Sequence, residues 1–328
     1  MQSSSGGDGS SGADSVITAL YRACLLRDPE AGAIENWRPR VPDEGLESVL
    51  SQFLRSAEFG LRIGSFVNLF PFDQAPAQQI EMEIDAPALE RLWRRVARTW
   101  TALGNEDAYF SVLTDPQWSH LAQASRIEAF YATGEGDLTR LEAWLARNRL
   151  AIDPDGVAVE YGCGVGRFTE WLAQRCRSVV AIDVSESHLD LARKRGEAKR
   201  IEGQVRYVGV ASPADLTALA GADLFYSVIV LQHNPPPIIA TILDAAFAGL
   251  NRGGVAYFQV PTRGAEGYAF DVQTYLQADG DGWMEMHAIE QSAVFKIAER
   301  RGVRPVEVSP DHCAGRFGVS TTFLMKKD

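Results

Sequence analysis

The stretch Val157 to Leu172, VAVEYGCGVGRFTEWL, limits the possible folds more than any other part of this chain. An apolar, β-rich run breaks on three alternating glycines, Gly162, Gly164 and Gly166, and an amphipathic pattern then resumes. That order lets the backbone turn sharply, approach a ligand closely and aim the first N–H groups of the following helix at it. The chain is therefore expected to build an α/β unit with a nucleotide site at one strand end. A dinucleotide fingerprint needs its third glycine where this chain has Arg167, so NAD is the weaker reading. Glu160, two places before Gly162, belongs at the strand's carboxyl end. There it can attract an amino-acid ammonium group, directly or through water. The next strand, Ser178 to Ile182, ends on Asp183, where such folds hold both hydroxyls of a ribose. Two carboxylates thus bracket an aminoacyl nucleoside.

From Glu160 to Gly166, and again at Asp183, the chain resembles the class I S-adenosylmethionine-dependent methyltransferases, over roughly residues 150–327. The resemblance implies a Rossmann-like, seven-stranded, mostly parallel sheet with helices on both faces. It implies S-adenosyl-L-methionine as cofactor and S-adenosyl-L-homocysteine as product. Cofactor contacts are expected from Glu160, Gly162, Cys163, Gly164, Arg167, Asp183, Val184, Ser227 and Val228. Ala222 to His233 resembles the family's fourth strand and the segment after it, which borders cofactor and substrate, and Pro235 to Pro237 stop that element. Gly253-Gly254 resembles the turn into a fifth strand, with residues 303–308 and 320–325 as the closing antiparallel pair. The plain alternative, a tight strand-to-helix turn without a ligand, does not account for the paired acids.

At 328 residues the chain is too long for one such domain, so an all-α N-terminal attachment is expected. Residues 1–15 are Gly/Ser-rich without an apolar core. They predict a disordered tail, neither secretion signal nor transit peptide, and hence a cytoplasmic protein. Asp14 can cap a helix carrying Ile17, Leu20, Tyr21, Cys24 and Leu25 at 3.6-residue spacing, and Leu46, Val49, Leu50, Phe53 and Leu54 repeat the pattern. Residues 16–70 form a small helical module, and its wording from Ala19 to Phe59 resembles a helical repeat of unknown function from bacterial surface and glycan-related proteins. The module either docks a glycan or protein partner or merely buries its own stripe. Residues 71–149 are read as a linker, from Pro71 and Pro76, and then a helical lid. Its first helix carries Leu89, Leu92, Trp93, Val96, Trp100 and Leu103, with Tyr109 or Trp118 available to stack on a ligand. Residues 100–114 resemble the lead-in of sugar-linked bacterial methyltransferases. The catalytic domain spans 150–328.

A net charge of −11 argues against a nucleic-acid substrate, which needs a basic face. No apolar run approaches the roughly 20 residues that cross a bilayer. The four cysteines are too scattered for a disulfide framework or metal pairing. Methyl transfer is an in-line displacement at a sulfonium carbon, so the protein must align the acceptor and exclude water. A hydroxyl acceptor calls for a base, and histidine suits that. Among five histidines, His233 after the fourth strand is the first candidate and His287 the second, while His120 and His188 read as surface residues. No metal is expected, since neither His233, His287, His312 and Cys313 nor Asp223, Asp271 and Asp311 show ligand spacing. The expectation is an O-methyltransferase of a bacterial glycan or sugar-bearing metabolite. An N- or O-methyltransferase of a small natural product, a cofactor-binding protein without catalysis and an NAD enzyme are the rivals.

Overall fold

The computed structural model describes residues 9–25, 27–56, 58–60, 76–120, 123–278 and 284–328. They divide into two compact units, Met1–Ala77 and Gln78–Asp328.

In the first unit, α1 (Gly9–Leu25), α2 (Ala33–Trp37), α3 (Arg40–Glu44) and α4 (Leu46–Leu54) close around Ile17, Tyr21, Leu25, Ala33, Val49 and Phe53. The first predicted stripe feeds this core, and so do Val49 and Phe53 of the second, whereas Leu46 and Leu54 of that stripe are exposed. The predicted disorder through Ser15 and the Asp14 cap are corrected, because α1 already begins at Gly9. Asp14 sits inside the helix, where its carboxylate pairs with Arg38 at 2.6 Å and its carbonyl accepts from the Thr18 hydroxyl at 2.8 Å. A partner 24 residues away thus extends a helix that local composition would leave frayed. Ala57 and Pro71 lie outside the described residues.

The second unit opens with α5 (Ala86–Val112), started by Asp85, which accepts from the Ala88 N–H at 2.7 Å. Its apolar stripe buries Leu92, Trp93, Val96 and Leu103 as the periodicity predicts. The helix kinks at Asp107 (φ −154°, ψ 86°), whose carboxylate accepts from Ser119 Oγ and His120 N at 2.8 and 2.7 Å. Then come α6 (Ala124–Ala132) and α7 (Gly134–Arg147).

Strands β1 (Val157–Tyr161), β2 (Ser178–Asp183), β3 (Val205–Gly209), β4 (Ala222–Ser227), β5 (Leu250–Gly264), β6 (Val303–Asp311) and β7 (Gly318–Lys327) form one sheet in the order β3-β2-β1-β4-β5-β7-β6. The first five pair in parallel, while β7 runs antiparallel to both β5 and β6. Gly253-Gly254 lies within β5, at an irregularity in its register with β4. Apolar runs buried on both faces require two helical layers. On one face pack α5, α10 (Pro236–Gly249) and α12 (Gln291–Arg300), and on the other α7, α8 (Thr169–Leu172) and α9 (Glu186–Lys199), with α11 (Val272–Gln277) beside α5. The amphipathic helix expected after Gly166 shrinks to the single turn α8, because Ser178 must already enter β2. No helix among the described residues is long and apolar enough to cross a membrane.

Candidate active site

The strand order reverses between β1 and β4, which opens a crevice at their carboxyl ends, where ligands of open α/β sheets bind. A cavity of about 630 Å³ occupies it, within the roughly 300–1,000 Å³ usual for small-molecule sites. Its lining includes Gly162, Gly164, Asp183 and His188, the charged residues Arg167, Asp137 and Arg140, and Trp100 and His233.

The glycine turn is set tightly. Gly162 has φ +80°, and a Cβ there would collide with both methyls of Val230; at Gly164, φ +53°, a Cβ would lie 2.7 Å from Val112 Cγ2 of α5. Its N–H groups are not free, as the bare pattern suggests. Gly162 N and Cys163 N donate to Ile182 O at 2.8 and 2.9 Å, and Gly164 N donates to Asp183 Oδ2 at 2.8 Å. Ser185 N donates to Asp183 Oδ1, also at 2.8 Å. The carboxylate is thereby held at the end of β2 with a lone pair left on each oxygen.

Glu160, next to last in β1, is only 4% exposed, with Oε2 accepting from Thr169 Oγ1 at 2.6 Å. Burial lifts its pKa to about 8, with Arg167 opposing, so at neutral pH it holds a proton. Arg167 pairs with Asp137, which also takes Arg140 at 2.8 Å, so two guanidinium groups share one carboxylate at the cavity wall. Val184, Cys163 and Val228 line the cavity too. Ser227 does not: it is fully buried and its hydroxyl donates to Tyr161 O at 3.0 Å. Tyr109 and Trp118 pack edge-on against Phe130, outside the cavity lining.

The histidines rearrange the expectation. His233 lines the cavity with its ring 5.2 Å from that of Trp100. A chain of hydrogen bonds sets its tautomer. Ile229 N–H can only donate, to Gln259 Oε1 at 3.0 Å, so Gln259 Nε2 donates to Gln232 Oε1 at 3.0 Å. Gln232 Nε2 then faces His233 Nε2 at 3.2 Å, and Nδ1–H donates to Glu285 O at 3.0 Å. The bare lone pair is on Nε2. His287 is corrected, since it does not line the cavity. It is buried between Phe270 and Tyr275, with Nδ1 3.4 Å from Tyr268 Oη. His188 is corrected as well: it is 1% exposed and lines the cavity.

Burial lowers the pKa of His233 to about 4 and of His287 to about 3. Both stay neutral in the folded protein while the unfolded chain protonates them near the ordinary 6.5, so stability is lost as pH falls below that value. Urea midpoints measured from pH 7 to 4.5 should show a net loss of about 1 kcal/mol per pH unit, two histidines acting against Glu160, and the loss should nearly vanish in His287→Phe. Glu160 has the opposite sign: its contribution is present below its ordinary pKa and is lost as pH rises through about 8. Equal acid limbs in the wild type and His287→Phe would contradict the neutral burial of His287.

Of the four buried side-chain polar atoms without a partner among the described residues, Tyr161 Oη, Arg167 Nε and His188 Nδ1 belong to residues lining this cavity. Buried polar atoms are ordinarily satisfied, so the cavity suits a ligand rich in hydroxyl and ionic groups. Sequence reasoning also missed Ile229, which lines the cavity 42% exposed at φ +58°, a strained setting for a β-branched residue. Only its place in an otherwise buried apolar run could have marked it.

Residues 158–254 match a family model described as a methyltransferase domain. The matched stretch carries β1, the glycine turn, Asp183 and His233, and with the strand order it supports the class I S-adenosylmethionine-dependent methyltransferase fold. The chain is 30% identical over 115 residues to a ubiquinone biosynthesis O-methyltransferase of Psychrobacter cryohalolentis, covering 35% of this chain and 44% of that one. It is 33% identical over 140 residues to a trans-aconitate 2-methyltransferase of Methylobacterium radiotolerans, covering 42% and 50%. The chain thus spans about half the length of these curated relatives. A crystal structure of magnesium protoporphyrin IX methyltransferase from Synechocystis with bound S-adenosylhomocysteine superposes at a TM-score of 0.46, with 17% identity, over 70% of this chain and all of that one.

Proposed function

We propose that this protein is an S-adenosylmethionine-dependent methyltransferase that methylates a hydroxyl of a small-molecule acceptor, with His233 taking the proton. The observation that carries the reading is one cavity joining the Glu160–Asp183 pair to His233 across the β1/β4 switch point. The donor set suits the cofactor: Asp183 offers acceptors to ribose hydroxyls, Glu160 offers a carboxyl to an ammonium, and Arg167 with Arg140 offers positive charge to a carboxylate. When bound, the cofactor supplies an electrophilic methyl group on a sulfonium.

His233 then acts through Nε2. Its Nδ1–H stays on Glu285 O, which fixes the ring, and Nε2 exchanges its long 3.2 Å contact with Gln232 for the acceptor hydroxyl. A pKa near 4 makes His233 a weak base, but a hydroxyl taking up a methyl group would be far more acidic than a free one, so the neutral Nε2 would suffice to take its proton. Trp100 and the lid helix α5 exclude water from that side. Sugar-bearing acceptors, implied by the resemblance of the N-terminal module and the lid, are one subset of this class, and docking through the module belongs to that subset. No described relative bears a name pointing to them.

Calorimetry with S-adenosylmethionine, S-adenosylhomocysteine and NAD tests the reading, followed by transfer of labelled methyl to sugar, phenolic and hydroxy-acid acceptors. Micromolar binding of both sulfur ligands with no heat from NAD is expected. Failure to bind either sulfur ligand overturns the proposal, and binding without transfer to any acceptor favours the non-catalytic rival.

A further inference from the structure

His188 reads as an exposed histidine near the start of a helix, yet the fold buries it against the cavity wall. Ser185 caps α9, accepting from His188 N, and that first turn packs on α5 at Gly104, where a Cβ would lie 2.7 Å from Ser185 Oγ and 3.0 Å from His188 Cε1. The close approach brings His188 Nε2 to 2.8 Å from Ser111 Oγ. With the Ser111 hydroxyl donating its one proton to Ala108 O at 3.0 Å, its oxygen accepts from Nε2–H. The proton is on Nε2, and Nδ1 is a bare lone pair.

That lone pair has no partner among the described residues. It lies 4.0 Å from Asp183 Oδ1, which is also an acceptor and already holds the Ser185 N–H. Two acceptors cannot bond each other, and both residues line the cavity. Burial opposes the protonation that would turn the pair into an ion pair. A ligand offering two adjacent O–H donors satisfies both, and a ribose cis-diol is such a group.

We propose that His188 Nδ1 accepts a hydrogen bond from one ribose hydroxyl of the bound cofactor while Asp183 accepts from the other, so that the two residues together recognise the cis-diol. The assignment rests on the cofactor reading above. It makes His188 a cofactor-binding residue supplied by α9 and locked by the lid helix through Ser111. The lid therefore orders the ribose site as well as the acceptor side.

Calorimetry with S-adenosylhomocysteine and its 2′-deoxy and 3′-deoxy analogues tests this on wild type, His188→Phe and His188→Asn, each checked by thermal melting. Wild type should bind both analogues more weakly than the parent. His188→Phe should lose roughly tenfold in affinity for the parent, the worth of one hydrogen bond, yet bind one deoxy analogue as wild type does. His188→Asn, which can present an oxygen near the same place, should recover most of the loss. Equal loss on all three ligands, or none, overturns the assignment. If His188→Phe does not fold, wild type binding all three ligands alike overturns it equally. Wild type that does not bind S-adenosylhomocysteine overturns the cofactor reading and this assignment with it, whereas binding without the deoxy pattern overturns the assignment alone.

Discussion

Replacing His233 by Phe should lower turnover by about 10²–10⁴ while leaving cofactor affinity within a few-fold. Phe keeps a ring against Trp100, 5.2 Å away in the native protein, so the shape of the acceptor side survives. What is lost is the Nε2 lone pair, together with the Nδ1–H bond to Glu285 O. The Gln232 amide loses an acceptor, at a cost of about 1 kcal/mol of stability, too little to unfold the domain. His287→Phe is the internal control. That residue is buried beside Tyr268, Phe270 and Tyr275 and does not line the cavity, so its turnover should stay within a few-fold of wild type. Steady-state kinetics on the acceptor found by screening decides the matter. Equal turnover in wild type and His233→Phe would remove His233 from the chemistry, and a large loss in His287→Phe alone would restore the second candidate.

Asp183→Ala should weaken S-adenosylhomocysteine binding by about 10–10²-fold, from the loss of a charged acceptor facing a ribose hydroxyl. The carboxylate has a second task, because its two oxygens hold Gly164 N and Ser185 N, both at 2.8 Å. The Ala variant strands both N–H groups, each costing roughly 1–3 kcal/mol if water cannot reach it. The melting temperature should therefore fall together with the affinity. Asp183→Asn separates the two effects: it keeps one acceptor oxygen for a backbone N–H but presents an amide to the other, so part of the affinity should return. Calorimetry and thermal melting on the three proteins check this. An Ala variant that binds like wild type would sink the ribose assignment.

Much of this site could be read from the chain because its parts are local. The run from Glu160 to Gly166 and the acid at Asp183 sit in consecutive strand ends, and strand, turn and strand fix their relation without the rest of the fold. The mostly parallel sheet and its antiparallel closing pair were implied by the family resemblance, and the strands fall within a few residues of the expected boundaries at β4, β6 and β7. Ser227 was misplaced because strand alternation points it away from the cavity, to the carbonyl of Tyr161. A resemblance names a segment of the site, not which side of the strand each residue takes.

Pattern and period, properties of neighbouring residues, gave the α/β class, the glycine turn and the paired acids, and the family resemblance placed His233 after the fourth strand. Contacts across large sequence separations settled the rest: Arg38 drawing Asp14 into a helix, Ser111 orienting His188 from 77 residues away, Glu285 orienting His233 from 52, and His287 turned into the core. A histidine has the same local spelling whether it is a base, a ribose ligand or a packed ring. Its role depends on which of its two nitrogens meets a donor, an acceptor or a cavity, and those partners come from helices and loops that meet only when the chain has folded.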